Sequence, residues 1–407
     1  MERKSLSILV ALHGGGLSGI DTYAEQVAAA AAASGHRVTL IGAGEQAALA
    51  LRNRAPAQVD VRHTAAPGGS RIRRFSRKVP TLELAEMRAL LSAELAAMGD
   101  TFDVVHLNHP GLAVAARPYA KRVVAGAWFY PHRPVARMVE TWLHTGAQFP
   151  RSAAFALKGL THYLNDRGGY RRCDAVAAPT EALAAQLRSQ GVAAISCPPP
   201  VRQVAAVDRA HHAKAAETTR ILVCCGDLGH PRKNVAAGVK AVASLAERGR
   251  RIELVLIGRN VSRLASELAV LPPSITVRTP GPLPREEIYT WMESSDLLLL
   301  PSLYEEWGYV ATEALMAGTP VAAFPVYPFT EILSTTLGAC AGDMTPTAMA
   351  TTIEQVLDSG HSRSDVRAAA IRCYGSDAAT RRLQALWVGS PARRAPVAVG
   401  AERVVPQ

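Results

Sequence analysis

The chain has 407 residues, a net charge of +11, 48% hydrophobic residues and 19% charged residues. One core rarely grows beyond roughly 250–300 residues, so two or three domains are expected, and disorder, which needs low hydrophobicity and high charge, is excluded. Six cysteines without a C-x-x-C pair speak against a disulfide scaffold or a structural zinc site and fit free thiols in a reducing cytoplasm, the expected location.

The basic balance favours anionic partners, whether nucleic acid, a membrane surface or phosphorylated ligands. No stretch reaches the ~18 apolar residues of a membrane span. The opening MERKSLSILVAL imitates a secretory signal, but its apolar run meets His13-Gly14-Gly15-Gly16 and no small-residue cleavage site. Ser7–Leu12 therefore reads as a buried first strand. Helical spacing follows over Asp21–Ser34, Gly35 stops it, and Val38–Ile41 reads as the second strand. Val104–Leu107, Arg122–Ala127 and Ala175–Ala178 continue the strand series, the last followed by a helix near Glu181–Gln190.

Residues 201–219 are polar, follow Pro198-Pro199-Pro200, and read as a linker. A second series then begins. Its predicted strands are Ile221–Cys225, Glu253–Ile257, Thr276–Arg278, Leu297–Leu300 and Pro320–Phe324. Its predicted helices are Val235–Arg248, Arg285–Ser294 and Tyr309–Ala317, the last closed by Gly318. The expected organisation is an α/β domain over 1–200, the linker, a second α/β domain over 220–388 and a disordered tail over 389–407. The final helix near Asp377–Trp387 can pack on either domain, and the ligand site is expected in a cleft between the two domains, at the strand C-termini.

Three segments carry chemistry. Gly14-Gly15-Gly16-Leu17-Ser18-Gly19 fits G-x-G-x-x-G between a strand and a helix, where glycine lets backbone N–H groups approach a diphosphate. The second predicted strand ends in Gly42 with no ribose-binding acid, which disfavours a dinucleotide oxidoreductase. Gly226-Asp227-Leu228-Gly229-His230-Pro231-Arg232-Lys233-Asn234 sets two fixed cations beside a loop that precedes a helix. Glu305 and Glu313 have seven residues between them, the first in a loop and the second on an otherwise apolar helix. A carboxylate there needs a partner, either a ligand hydroxyl or a structural cation.

In this order and spacing the three segments resemble the GT-B glycosyltransferases of family 4, the retaining nucleotide-sugar enzymes. The strongest likeness is the E-x7-E element in Glu305…Glu313; next come Gly226–Asn234 and the stretch from Ser18 to Gly42. The resemblance implies two Rossmann-like domains and a nucleotide-sugar donor held mostly by the second. Donor-binding residues would be Gly16, Gly19, Lys233, Arg259, Glu305, Gly308, Tyr309 and Glu313, with Glu313 on the ribose and Glu305 on the transferred sugar. Lys233, helped by Arg232, would neutralise the departing diphosphate, so no cofactor and no metal is expected. His132 is the candidate histidine near the acceptor, with His109 and Arg133 beside it; His106 is a further candidate if it ends its strand.

Two departures stand out. Asp227 replaces the family's arginine, so Arg232 or Arg259 must substitute, and Tyr327-Pro328-Phe329-Thr330-Glu331 stands where the family has Gly-Gly before Pro-Glu. The acceptor is expected to be a sugar, an aminocyclitol, a natural product or a lipid-linked molecule. Arg71, Arg73, Arg74, Arg77 and Lys78 offer a membrane-surface contact at the inner face or a solvated loop. The alternatives are a nucleotide-sugar epimerase or hydrolase of the same fold, and a protein that binds an anionic partner. Nucleic-acid binding would need a longer basic stripe than 71–78.

Overall fold

The structure, a computed structural model, describes residues 5–11, 19–64, 80–127, 167–201, 215, 217–333 and 338–389. The chain divides into two compact units, each built on one parallel sheet. The first sheet has seven strands: β1 Ser7–Ala11, β2 Arg37–Gly42, β3 Val59–His63, β4 Phe102–Leu107, β5 Ala120–Gly126, β6 Ala175–Ala178 and β7 Ala194–Ser196. Their order is β3-β2-β1-β4-β5-β6-β7. The second has six: β8 Thr219–Asp227, β9 Ile252–Arg259, β10 Ile275–Gly281, β11 Leu297–Leu300, β12 Val321–Ala323 and β13 Gly338–Cys340, in the order β10-β9-β8-β11-β12-β13. This is the doubly wound Rossmann order, used twice. The order reverses between β1 and β4 in one sheet and between β8 and β11 in the other.

The central strands are continuous apolar runs because helices cover both faces of such sheets. Ile8 of β1 lies in register with Val38 on one side and Val104 on the other. Ile221, Leu222 and Val223 of β8 are buried, as is all of β11. The short edge strands β7 and β13 have no run long enough to read from sequence, and β3 alternates buried and exposed residues as an edge strand does.

An aspartate pins the N-terminal edge of each sheet. Asp103 accepts the Ser7 backbone N–H at 2.9 Å and pairs with Lys121 at 2.8 Å, which holds its pKa at about 2. Asp174 accepts the Val123 N–H at 2.7 Å, and Asp296 accepts the Arg220 N–H at 2.8 Å. Asp103 and Asp296 satisfy donors at the starts of β1 and β8, and Asp174 one within β5.

Beneath β8 lies a buried charge network. The Arg220 guanidinium is buried, pairs with Glu253, and stacks 5.2 Å from the Trp291 ring; Glu253 also pairs with Arg278. The final helix, Ser376–Val388, departs from the expected boundary at 388: its residues from Arg381 onward belong to the first unit. The cause is burial of Leu383, Leu386 and Trp387, with Arg122 Nε donating to the Leu386 carbonyl at 2.7 Å. Most of the expected linker and the tail from 390 lie outside the described residues.

Glu253→Gln should destabilise the second unit by about 3–5 kcal/mol, because Arg220 would keep its charge without its buried partner. A urea-unfolding loss below about 1 kcal/mol, the range of exposed pairs, would show that Trp291 and the Ser294 carbonyl, which accepts from Arg220 Nη1 at 3.3 Å, carry that charge instead.

Candidate functional site

The loop leaving β8 is organised by its own side chains. Asp227 Oδ1 accepts the Gly229 N–H at 3.0 Å and also bonds Asn260, interactions that hold its carboxyl below the usual range. A Cβ at Gly229 would lie 2.4 Å from the side chain of Arg263, an exposed residue that would have to move. His230 Nδ1 accepts the Arg232 N–H at 3.1 Å, which starts the single turn Pro231–Lys233. Asn234 then adopts a left-handed conformation (φ 50°) and opens the helix Val235–Glu247. The carboxylate that replaces the family's arginine is therefore turned back into its loop. Arg259, at the end of β9, is in register with Asp227, and its Nε donates to the Gly226 carbonyl at 3.1 Å.

The loop leaving β11 meets the first one directly. The Leu303 N–H donates to the Arg232 carbonyl at 2.9 Å, and the Arg232 guanidinium lies 6.0 Å from the Tyr304 ring centre. Lys233 Nζ pairs with Glu305 Oε1, which also accepts the Ser302 hydroxyl at 2.9 Å. Glu305 is buried and Lys233 half-buried. The strand-order reversal at β8 and β11 thus sets an ammonium and a carboxylate side by side at the strand C-termini. Such a pair can meet a phosphate with one member and a hydroxyl with the other.

Gly308 precedes the helix Tyr309–Met316 at φ 80°, and a Cβ there would lie 2.6 Å from the Phe329 ring. Only glycine fits both constraints. Tyr309 is the first residue of this helix, and Glu313, one turn further on, pairs with Arg285. Burial raises the Glu313 carboxyl above its usual range, and Arg285 opposes that shift. Sequence reasoning missed Arg285, although one signal was present. It opens the helix Arg285–Ser294, where a cation opposes the helix dipole and so needs another reason to be there.

In the first unit, Gly19 begins the helix Gly19–Ala33. His109 lies just after β4 and caps the turn Pro110–Leu112, its Nδ1 accepting the Gly111 N–H at 3.0 Å. His106 does not belong to a site. It is buried in the core, with Tyr23 Oη 2.8 Å from Nε2, and Trp387 Nε1 donates to its Nδ1 at 3.1 Å. An indole N–H can only donate, so Nδ1 is the acceptor and the neutral ring carries its proton on Nε2. Gly16, His132, Arg133 and the basic stretch 71–78 lie outside the described residues. Among the described residues no group of three or more His, Cys, Asp or Glu is placed to hold a metal ion, and no helix is long and apolar enough to cross a membrane.

Comparison with known proteins follows this geometry. Residues 17–199 match the family described as Glycosyltransferase Family 4, and residues 208–372 match Glycosyl transferases group 1. A 2-deoxystreptamine glucosyltransferase from Streptomyces kanamyceticus is 37% identical over 138 residues, 33% of this chain and 35% of that protein. A D-inositol 3-phosphate glycosyltransferase from Frankia alni is 32% identical over 110 residues, 27% of this chain and 26% of that protein. The matched stretch thus spans about a third or less of the curated relatives' length. The solved structure of a sucrose-phosphate synthase from Thermosynechococcus elongatus shares the fold, with a TM-score of 0.69 at 17% identity over 94% of this chain and 98% of that one.

Burial drops the His106 pKa from 6.5 to about 3. As pH falls below 6.5 the unfolded chain takes up this proton first, so stability complete above that pH is lost toward pH 3. Between pH 6.5 and pH 5 the loss from this group should be about 2 kcal/mol. His106→Gln keeps a donor and an acceptor but does not titrate. Its unfolding free energy should fall less than the wild type's across that interval; parallel profiles would show that His106 is not the titrating group.

Proposed function

We propose, for a chain that belongs to the GT-B glycosyltransferases of family 4, that it moves a hexosyl group from a nucleotide-sugar to a hydroxyl of a small polyhydroxylated acceptor, a cyclitol or a sugar. One observation carries the reading: Lys233 and Glu305 are joined at the crevice between β8 and β11. A glycosyl diphosphate presents anionic oxygens and sugar hydroxyls on either side of one bond, and this pair matches both. The acceptor class is supported by relatives whose names specify 2-deoxystreptamine and D-inositol 3-phosphate.

The roles follow from the chemistry. Glu313, held by Arg285 at one oxygen, accepts ribose hydroxyls at the other. Glu305 accepts hydroxyls of the transferred sugar. Lys233 and Arg232 meet the charge that grows on the diphosphate as the C1–oxygen bond breaks, and Arg259 adds a cation from β9. The acceptor oxygen bonds to C1 on the same face, and its proton passes to the departing phosphate oxygen. Configuration is then retained without a protein base, and protein cations meet the leaving-group charge without a metal. Arg259 serves where Asp227 cannot, since a carboxylate turned toward diphosphate would repel it.

A thermal-shift series with UDP, GDP, dTDP, ADP and CDP should give one selective rise in Tm, unchanged by EDTA. No rise with any nucleotide would overturn the reading. Lys233→Ala should lower kcat by about 100-fold or more with a smaller change in donor KM, because leaving-group charge develops in the transition state. Glu313→Gln should mainly raise donor KM. Turnover of donor without acceptor at the full rate would instead identify a hydrolase or epimerase.

A further inference from the structure

The first unit holds a pair of cations that the donor chemistry does not use. Arg88, on the helix Pro80–Met98, is half-buried and donates Nε to the Gly111 carbonyl at 2.7 Å. Gly111 lies in the turn after β4 that His109 caps. Gly169 presses against the same turn: a Cβ there would lie 2.4 Å from the Pro110 carbonyl. Close by in sequence, Arg172 donates Nη1 to the Gly168 carbonyl at 2.7 Å. Each guanidinium therefore spends one N–H on a backbone carbonyl, and neither has an ion-pair partner among the described residues.

Several other arginines of the chain are paired with acids. Arg54 pairs with Glu25, Arg220 with Glu253 and Arg285 with Glu313. Arg88 has no such acid; burial first, and then the like charge of Arg172, lowers its pKa. A half-buried cation without a counter-ion is costly, and the cost is removed when an anion arrives. Two guanidiniums offer the fork geometry that phosphate oxygens accept in pairs. Arg88 bonds the turn that leaves the C-terminal end of β4, a strand bordering the strand-order reversal of its sheet, where ligands of doubly wound sheets bind.

We infer that Arg88 and Arg172 bind a phosphate group carried by the acceptor, so that the acceptor is a phosphorylated polyol. The binding stands on these residues alone; its assignment to the acceptor rests on the transferase reading. Phosphate would anchor one end of the polyol and leave a hydroxyl at the other for transfer. A diaminocyclitol would be repelled by the same pair.

The test is isothermal titration of the full chain with inositol 1-phosphate, inorganic phosphate, unphosphorylated inositol and a diaminocyclitol. Vesicles of phosphatidylcholine with and without phosphatidylinositol form a parallel arm. Both soluble phosphates should bind and the two uncharged or cationic polyols should not. Arg88→Gln and Arg172→Gln should each weaken phosphate binding tenfold or more, while nucleotide binding in the second unit is unchanged. Arg172 is exposed, so its variant keeps the test valid should Arg88→Gln misfold. Vesicle binding that needs phosphatidylinositol and is lost in both variants would support the same phosphate site with a lipid source. Absence of any phosphate binding, phosphate binding unaltered in both variants, or equal binding of the diaminocyclitol would overturn the inference. Phosphate binding without any nucleotide binding would leave the site standing and remove the transferase reading.

Discussion

In a doubly wound sheet the helices that follow two neighbouring central strands turn to opposite faces, because right-handed crossovers leave them no other course. The strand ends between them stay uncovered. At β8 and β11 the sequence places its cationic loop and its acidic loop at that point, and a backbone hydrogen bond from Leu303 to Arg232 ties the two together. The contact between Lys233 and Glu305 is a consequence of this topology. Gly308 is held to glycine by its left-handed backbone and by the Phe329 ring.

The acids of the second unit's candidate site each have a partner within the chain. Lys233 answers Glu305, Arg285 answers Glu313, and Asp227 is satisfied by Gly229 and Asn260. Balanced pairs keep side chains in place without the cost of a lone buried charge. They also set a condition on the ligand: it must offer each member something at least as good as its present partner. The proposed nucleotide-sugar would offer phosphate to one and hydroxyls to the other. In the first unit Arg88 and Arg172 are held by backbone carbonyls and have no ion pair among the described residues.

The architecture was legible because parallel strands buried on both faces are uninterrupted apolar runs, as in ILVCC, LVLIG and LLLL. The donor loops were legible because their residues are close in sequence and their spacing is distinctive. What escaped was set by long-range pairing. Arg285 and Glu313 sit on different helices, and no local pattern links them. His106 resembles a strand-end site residue until Trp387, at the far end of the chain, is seen to donate to it. Asp227 looked hostile to a diphosphate because its sequence position says nothing of its direction. Strands of three residues, such as β7 and β13, carry too little pattern to be read at all.

The aspartate pins have a consequence for how such a protein can change. Asp103 and Asp296 fasten the sheets at the strand starts, whereas Lys233 and Glu305 lie at the strand ends of the second sheet. A strand the length of β8 separates the two by roughly 20–30 Å at ~3.3 Å per residue. Over such distances substitutions act almost independently. Loops at the strand C-termini can therefore be exchanged while the fastening stays intact, which makes the scaffold a frame for grafting new specificities.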